Sequence, residues 1–183
     1  FGIKGFDGTK LKDIAKEANI SNAVLNYHFD GKEDLWKQAV TQLGEKLVQR
    51  YQEIAGYFQD LEGIAALKAF TRQFVYFSAE YPEFHRIIFH EMCTRTERAT
   101  WLVKEVLNPL HHFFVYFYSS NKNLDIEGYA AANLSSIIIG ASNTFFIHAF
   151  QMEQMYGVNP FEKEQIEKHA DMVMDLVFAK FNK

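Results

Sequence analysis

The sequence predicts an all-α protein, with a small helix-turn-helix at the N-terminus joined to a larger helical body. Three observations carry this. Apolar residues recur at spacings of three and four along almost all of the 183-residue chain, the period of a helix with one buried face. No stretch alternates apolar and polar residues as a half-buried strand would. The only prolines are Pro82, Pro109 and Pro160, so little of the chain is barred from helical geometry.

The first pair of elements lies between Thr9 and Phe29. Thr9 is a residue type that caps helix N-termini. Leu11, Ile14, Ala15 and Ala18 follow at i, i+3, i+4 and i+7, one face of a short helix. Asn19 tolerates the left-handed conformation and can close that helix, and Ile20 is placed to plug the corner. Ser21 then caps a second short helix, in which Val24 and Leu25 face inward. Small Ala15 stands where the two helices cross. This is the helix-turn-helix layout, whose second helix enters the major groove of double-stranded DNA.

From Lys32 a long helix follows, with Trp36, Val40, Leu43, Leu47, Tyr51, Ile54 and Phe58 as its stripe. The head is assigned to residues 1–46 and the body to 47–183. Leu67, Phe70, Phe74 and Phe77 predict a helix that ends near Tyr81-Pro82. Proline at the first helical position opens the next, Glu83 to about Met92. A helix from about Thr96 to Ser119 contains Pro109, which should kink or split it. After a turn at 121–124, Asp125 caps a long helix to about Tyr156, with Leu134, Ile138, Ala141, Phe145 and His148 on one face and Gly157 at its close. Asn159-Pro160-Phe161-Glu162 reads as a cap, a first-turn proline and an acid at the third position.

The last helix carries two stripes. Ile166, Ala170, Val173, Met174, Val177, Phe178 and Phe181 form one, and Met172, Leu176 and Ala179 form another. A surface helix needs only one apolar face. A second face implies a partner as well as the body.

Composition bounds the function. Net charge is −4, which taken alone argues against nucleic acid. The first 50 residues, however, hold eight Lys and Arg against seven acids, and the remainder eleven against sixteen. A mildly basic head on an acidic body is compatible with DNA binding. One cysteine, Cys93, forbids an internal disulfide and suits a reducing cytoplasm. No apolar run reaches the roughly 18 residues that span a bilayer, and no signal-peptide pattern is visible. The expectation is a cytoplasmic protein without a membrane partner. The chain opens on Phe1, in what reads as the tail of a helix, so part of the native N-terminus is expected to be missing.

Gly5-Phe6-Asp7-Gly8-Thr9, Leu11, Asp13-Ile14-Ala15, Ala18, Ile20-Ser21, Leu25, Tyr27-His28-Phe29 and Lys32-Glu33-Asp34-Leu35 together resemble the N-terminal domain of TetR-type regulators. The likeness covers about the first 40 residues. The Tyr-His-Phe run before Lys-Glu-Asp-Leu is its distinctive part. The resemblance implies a dimeric, ligand-responsive transcriptional regulator, with repression expected, and neither an enzyme nor a cofactor-dependent protein. It places Thr9 and Lys10 on phosphate, Asn22, Ala23 and Asn26 along the groove-facing surface, and Tyr27, His28 and Lys32 on the DNA backbone. It implies a homodimer through the last two long helices, about 125–156 and 160–181, with Gly140, Ala141 and Ser142 permitting close approach. The tilt of the long helix would set the spacing of two recognition helices, about 34 Å apart on B-DNA.

The reading surface departs from the family pattern. Asn22 stands where Lys or Arg is usual, Ala23 for a frequent Gly, Val24 for a frequent Thr and Asn26 for a common aromatic. The second helix therefore carries no Lys or Arg. This keeps an alternative open, a TetR-like dimer acting as a protein- or lipid-interaction module with an altered head. Phe29 also reads as a core aromatic, and His28 and Lys32 as solvated surface residues.

Aromatic residues make up 16% of the chain, with 18 Phe, and they concentrate in the body. They suit either a tightly packed core or a pocket for a small apolar or aromatic effector. Phe74, Phe89, Trp101, Phe113 and Phe146 are candidate lining, and His90, His112 and Asn143 candidate polar contacts. Metal chemistry is not expected. His111 and His112 point about 100° apart on a helix, His85 and His90 are poorly spaced, and no His-x-x-x-His or Cys pair exists. Cys93 lacks an identifiable base, and there is no Gly-rich phosphate loop.

Asn pairs bidentately with adenine, and Ala meets the thymine methyl. The operator should therefore carry A·T steps under Asn22 or Asn26. Titration against an operator with a G·C-only core should show weakened binding, and equal affinity would sink this reading.

Overall fold

The computed structural model describes residues 1–57, 63–112 and 128–179, and among them there is no strand. The helices are α1 (Gly5–Gly8), α2 (Leu11–Glu17), α3 (Asn22–His28), α4 (Lys32–Tyr57), α5 (Gly63–Glu80), α6 (Pro82–Thr94), α7 (Glu97–Leu102), α8 (Gly128–Ile147), α9 (Ala149–Tyr156) and α10 (Lys163–Phe178). A π-helical turn, Val103–Leu107, continues α7. The chain divides into two compact units, Phe1–Lys46 with Glu83–Pro109, and Leu47–Pro82 with Leu110–Lys183. The head thus shares its unit with α6 and α7, which the sequence pattern had grouped with the body.

In the first unit, α4 opens after Gly31, whose φ of 91° few other residues tolerate. Asp34 in its first turn accepts the Asp30 N–H at 2.9 Å. That bond, and those from Gln38, hold the Asp34 carboxyl below the usual carboxylate range. Trp36 and Val40 are buried beneath the head, and Trp36 packs on Trp101 of α7 with centroids 5.8 Å apart. The backbone at Gly2 runs close to α6: a Cβ there would stand 3.1 Å from the Glu83 Cα. Arg95, at φ 52°, turns the chain between α6 and α7. Thr96 then caps α7, its hydroxyl accepting the Ala99 N–H at 3.1 Å.

In the second unit, α5, α8 and α10 pack around Leu67, Val75, Ile138, Phe146, Ala170, Val173, Met174 and Phe178. Polar bonds tie α5 to α10 at the rim. Arg72 pairs with Asp171, and the Tyr76 hydroxyl donates to Glu167 at 2.7 Å. The His169 ring donates from Nε2 to the Ala141 carbonyl at 2.9 Å and stacks on Phe145. Burial lowers its pKa. The hydroxyls of Thr71 and Ser142 are buried without a hydrogen-bond partner among the described residues.

Several boundaries differ from expectation. The helix beginning at Glu97 neither runs on regularly nor simply kinks at Pro109. Proline lacks an N–H, and its ring collides with the carbonyl four residues back. The ladder widens just before it, where the Asn108 N–H reaches the Val103 carbonyl, the wider register of a π turn. The predicted 125–156 helix is interrupted at His148, whose φ of −96° and ψ of 27° leave the helical region; nothing in the sequence marks that break. Gly157 closes α9 in the left-handed conformation as expected. Asn159 caps no helix. Its side chain accepts the Phe161 N–H at 3.0 Å in a tight turn, and α10 starts only at Lys163. The expected turn at 121–124, the Asp125 cap, Phe58 and Phe181 lie outside the described residues.

His85 is buried in α6, and burial pushes its pKa down to about 3. The folded protein keeps this ring neutral while an unfolded chain protonates it below about 6.5. Its contribution to stability is therefore complete above pH 6.5 and is lost progressively as pH falls toward 3. Between pH 7.5 and 5.0 the wild type should lose about 2 kcal/mol relative to His85→Gln in urea unfolding. A difference between the two proteins that does not change with pH would contradict this.

Candidate nucleic-acid interface

The junction of α2 and α3 is built from two local devices. Asn19 adopts φ 55°. Its N–H donates to the Lys16 carbonyl at 3.1 Å, and the Ile20 N–H to the Ala15 carbonyl at 2.9 Å. This pair of bonds around a left-handed residue is the Schellman motif, which satisfies the last carbonyls of a helix and reverses the chain. Ser21 then caps α3, its Oγ accepting the Val24 N–H at 3.2 Å. Ala15 and Leu25 are the buried residues of the two helices. The inward set is smaller than expected: Val24 is 43% and Ile20 41% exposed, and Ala18 is exposed too. Two seven-residue helices with one fully buried side chain each leave most of their surface outside.

Asn22, Ala23, Asn26, Tyr27 and His28 are all exposed. Tyr27 is the most open, at 86%, and stands edge-on to the His28 ring. Neither Asn22 nor Asn26 has a side-chain hydrogen-bond partner among the described residues, so their amides are available to a ligand's donors and acceptors. Phe29 is half-buried, as a core aromatic would be. Lys10 is exposed at the start of α2, with Lys12 and Lys16 exposed along it.

Two expected contacts sit differently. Thr9 is not the cap of α2; that position falls to Lys10, which makes no side-chain cap bond. The Thr9 hydroxyl is buried and donates to the Gly5 carbonyl at 2.6 Å, which closes α1. Lys32 is half-buried. Its ammonium lies 4.4 Å from the centroid of the Phe6 ring and 3.5 Å from the Asp7 carbonyl.

Phe6 is the hub of this support. It stacks on Phe1, meets Trp36 edge-on, and has the Arg98 guanidinium 3.8 Å from its centroid. Arg98 is held in turn by Glu91, a buried carboxylate on α6 that also accepts from the Thr96 hydroxyl. Sequence reasoning missed this set. Its one signal is that Glu91 falls on the apolar stripe Phe84, Ile87, Ile88, where an acid needs a partner.

The expected effector residues fall in both units. Phe89, His90 and Trp101 belong to the unit that holds the head. Phe89 and His90 are exposed, and His90 packs by Gly5. Trp101 is half-buried against Trp36, with Lys37 over its ring. In the other unit Phe74 is half-buried and Asn143 buried. Phe146 is fully buried against Phe161 and His169, and His112 is exposed. Phe113 lies outside the described residues. A cleft of about 310 Å³ in the second unit is lined by Tyr76, Ala79, Glu80, Phe161, Lys163, Ile166 and Glu167, none of them an expected lining residue.

Residues 1–39, which span the whole helix-turn-helix, match the sequence profile described as bacterial regulatory proteins, tetR family. The head of this chain is therefore similar to the N-terminal domain of tetR-family regulators. Similar proteins include the "Biofilm operon icaADBC HTH-type negative transcriptional regulator IcaR" of Staphylococcus aureus (strain Newman), 55% identical over 40 residues. The protein of the same description from Staphylococcus epidermidis is 50% identical over 40 residues. In each case the match covers 22% of this chain and 22% of the relative. The tetR likeness thus rests on the head, and the aligned stretch spans about a fifth of the length of these curated relatives.

The left-handed turn gives a direct test. Asn19→Val places a β-branched residue at φ 55° and should cost about 1–2 kcal/mol in urea unfolding, while Asn19→Gly should be close to neutral. Equal stability of the two variants would contradict the turn described.

Proposed function

We propose that this chain is a ligand-responsive transcriptional repressor that binds a palindromic operator as a homodimer in the cytoplasm and is released by a small apolar or aromatic effector. The observation that carries the reading is the exposed α3 surface, Asn22, Ala23, Asn26, Tyr27 and His28, presented by a two-helix turn of tetR type. Amide, imidazole and phenol groups supply base and phosphate contacts, and Lys10, Lys12 and Lys16 on α2 add positive charge. The negative regulators that share this head favour repression as the output.

A second copy is favoured by the apolar surface of α10, where Met172 is 60% and Leu176 74% exposed, and by Ile137 and Ile139 on α8, at 57% and 46%. Large apolar side chains exposed on one helix suit an oligomer contact. An effector with a polar group is supported by the buried hydroxyls of Thr71 and Ser142, which have no partner among the described residues. Such a ligand acts by favouring the conformation whose heads do not fit the operator, by no more than its differential affinity.

The test is a titration against a palindrome from the protein's own promoter at several salt concentrations. Affinity should fall steeply as salt rises, because phosphate contacts release counterions. Leu176→Glu should sediment as a monomer and bind at least about tenfold more weakly, since one head then holds one half-site. Salt-independent or undetectable binding by the wild type would overturn the proposal.

A further inference from the structure

α1 has four residues, too few to be stable as an isolated helix, yet it is the segment from which α2 and α3 extend. It is closed by the Thr9 hydroxyl on the Gly5 carbonyl, and two residues later α2 begins. What holds α1 in place is Phe6, and what holds Phe6 on the α7 side is Arg98. The guanidinium is itself fixed. Its Nε donates to Glu91 Oε1 at 3.3 Å, and Glu91 is only 3% exposed. The second Glu91 oxygen accepts from Thr96 at 2.8 Å. A buried carboxylate stripped of its cation is strongly destabilising, so this pairing gives Arg98 one position. The cationic plane then lies against the Phe6 ring, where the aromatic quadrupole attracts it.

We propose that Arg98 is a positioning residue for DNA binding: seated on Glu91, it clamps Phe6 and so fixes α1 and the direction in which the helix-turn-helix leaves it. The proposal rests on the DNA-binding reading given above. It also accounts for the pairing of two cations with one ring. The Lys32 ammonium lies 4.4 Å from the same centroid, in a residue expected to reach the DNA backbone. When that ammonium moves to a phosphate, Arg98 keeps the ring occupied and α1 stays in place. A head with α1 unseated does not present α2 and α3 together, and apparent affinity falls with the fraction that is seated.

The experiment uses the full chain and four variants: Arg98→Gln, Arg98→Lys, Phe6→Leu, and Arg98→Gln with Phe6→Leu. Operator affinity is read by fluorescence anisotropy. Hydrogen exchange of the Gly5 and Thr9 amides, which donate to Phe1 and Phe6, is read without DNA. Arg98→Gln and Phe6→Leu should each weaken binding by about threefold to thirtyfold, the range of a cation–π contact from exposed to desolvated. The double variant should be no worse than the weaker single, Arg98→Lys should recover most of the loss, and both amides should exchange faster in Arg98→Gln. Wild-type affinity in a folded Arg98→Gln protein, or losses that simply add in the double variant, would overturn the proposal. Should Arg98→Gln fail to fold, Phe6→Leu with wild-type affinity overturns it equally. If the wild type binds no duplex, the DNA-binding reading fails by itself, and unchanged exchange in Arg98→Gln separately removes the clamp.

Discussion

One backbone constraint organises the head. The chain must leave α2, reverse and enter α3 within a few residues, without leaving buried carbonyls unpaired. A left-handed residue at Asn19, with the Lys16 and Ala15 carbonyls each receiving an N–H, meets that requirement. Only then can α2 and α3 share so small a buried contact, with Ala15 and Leu25 at its centre. With so little inward packing, most of the α3 surface remains available to something outside the protein. The turn and the exposed α3 face are therefore two consequences of the same economy in length.

The head is too slight to be self-supporting. Hydrophobic stabilisation scales with the apolar area buried, and two seven-residue helices bury little. The shortfall is met by Phe6, Trp36 and Trp101, and by the paired charges around Glu91. The same unit therefore contains residues from both sides of α5 in the sequence. Movement of α6 or α7 is consequently not independent of the exposed α3 surface. Both are attached to it through Glu91, Arg98 and the Phe6 ring.

What could be read from the sequence was whatever local chemistry decides. Asn19, Ser21, Pro82 and Gly157 each do what their backbone preferences dictate. The buried stripe of α10 also follows its spacing, with Ala170, Val173, Met174 and Phe178 inside. Other features depend on neighbours outside the local pattern. Thr9 has the chemistry of a cap, but the nearby Gly5 carbonyl takes its hydroxyl. Val24 is apolar, yet it is 43% exposed on α3. The aromatic residues grouped as one pocket are divided between two compact units, a distinction that composition does not carry. Asn22 and Asn26 were singled out by type, and their exposure is a property of the folded turn.

The π-helical turn before Pro109 has a consequence for phase. An ordinary helix advances about 100° per residue, so one extra residue in a widened turn rotates everything beyond it by about that angle. Val106 is buried, whereas Asn108 and Pro109 are exposed. Deleting a single residue within Val103–Leu107 would do more than shorten the helix. It would turn residues 108–112 by roughly a quarter of a revolution and set the Pro109 ring against a carbonyl of a regular ladder. At this point the chain's length, counted in single residues, is as much a determinant of which side faces inward as the identity of the side chains.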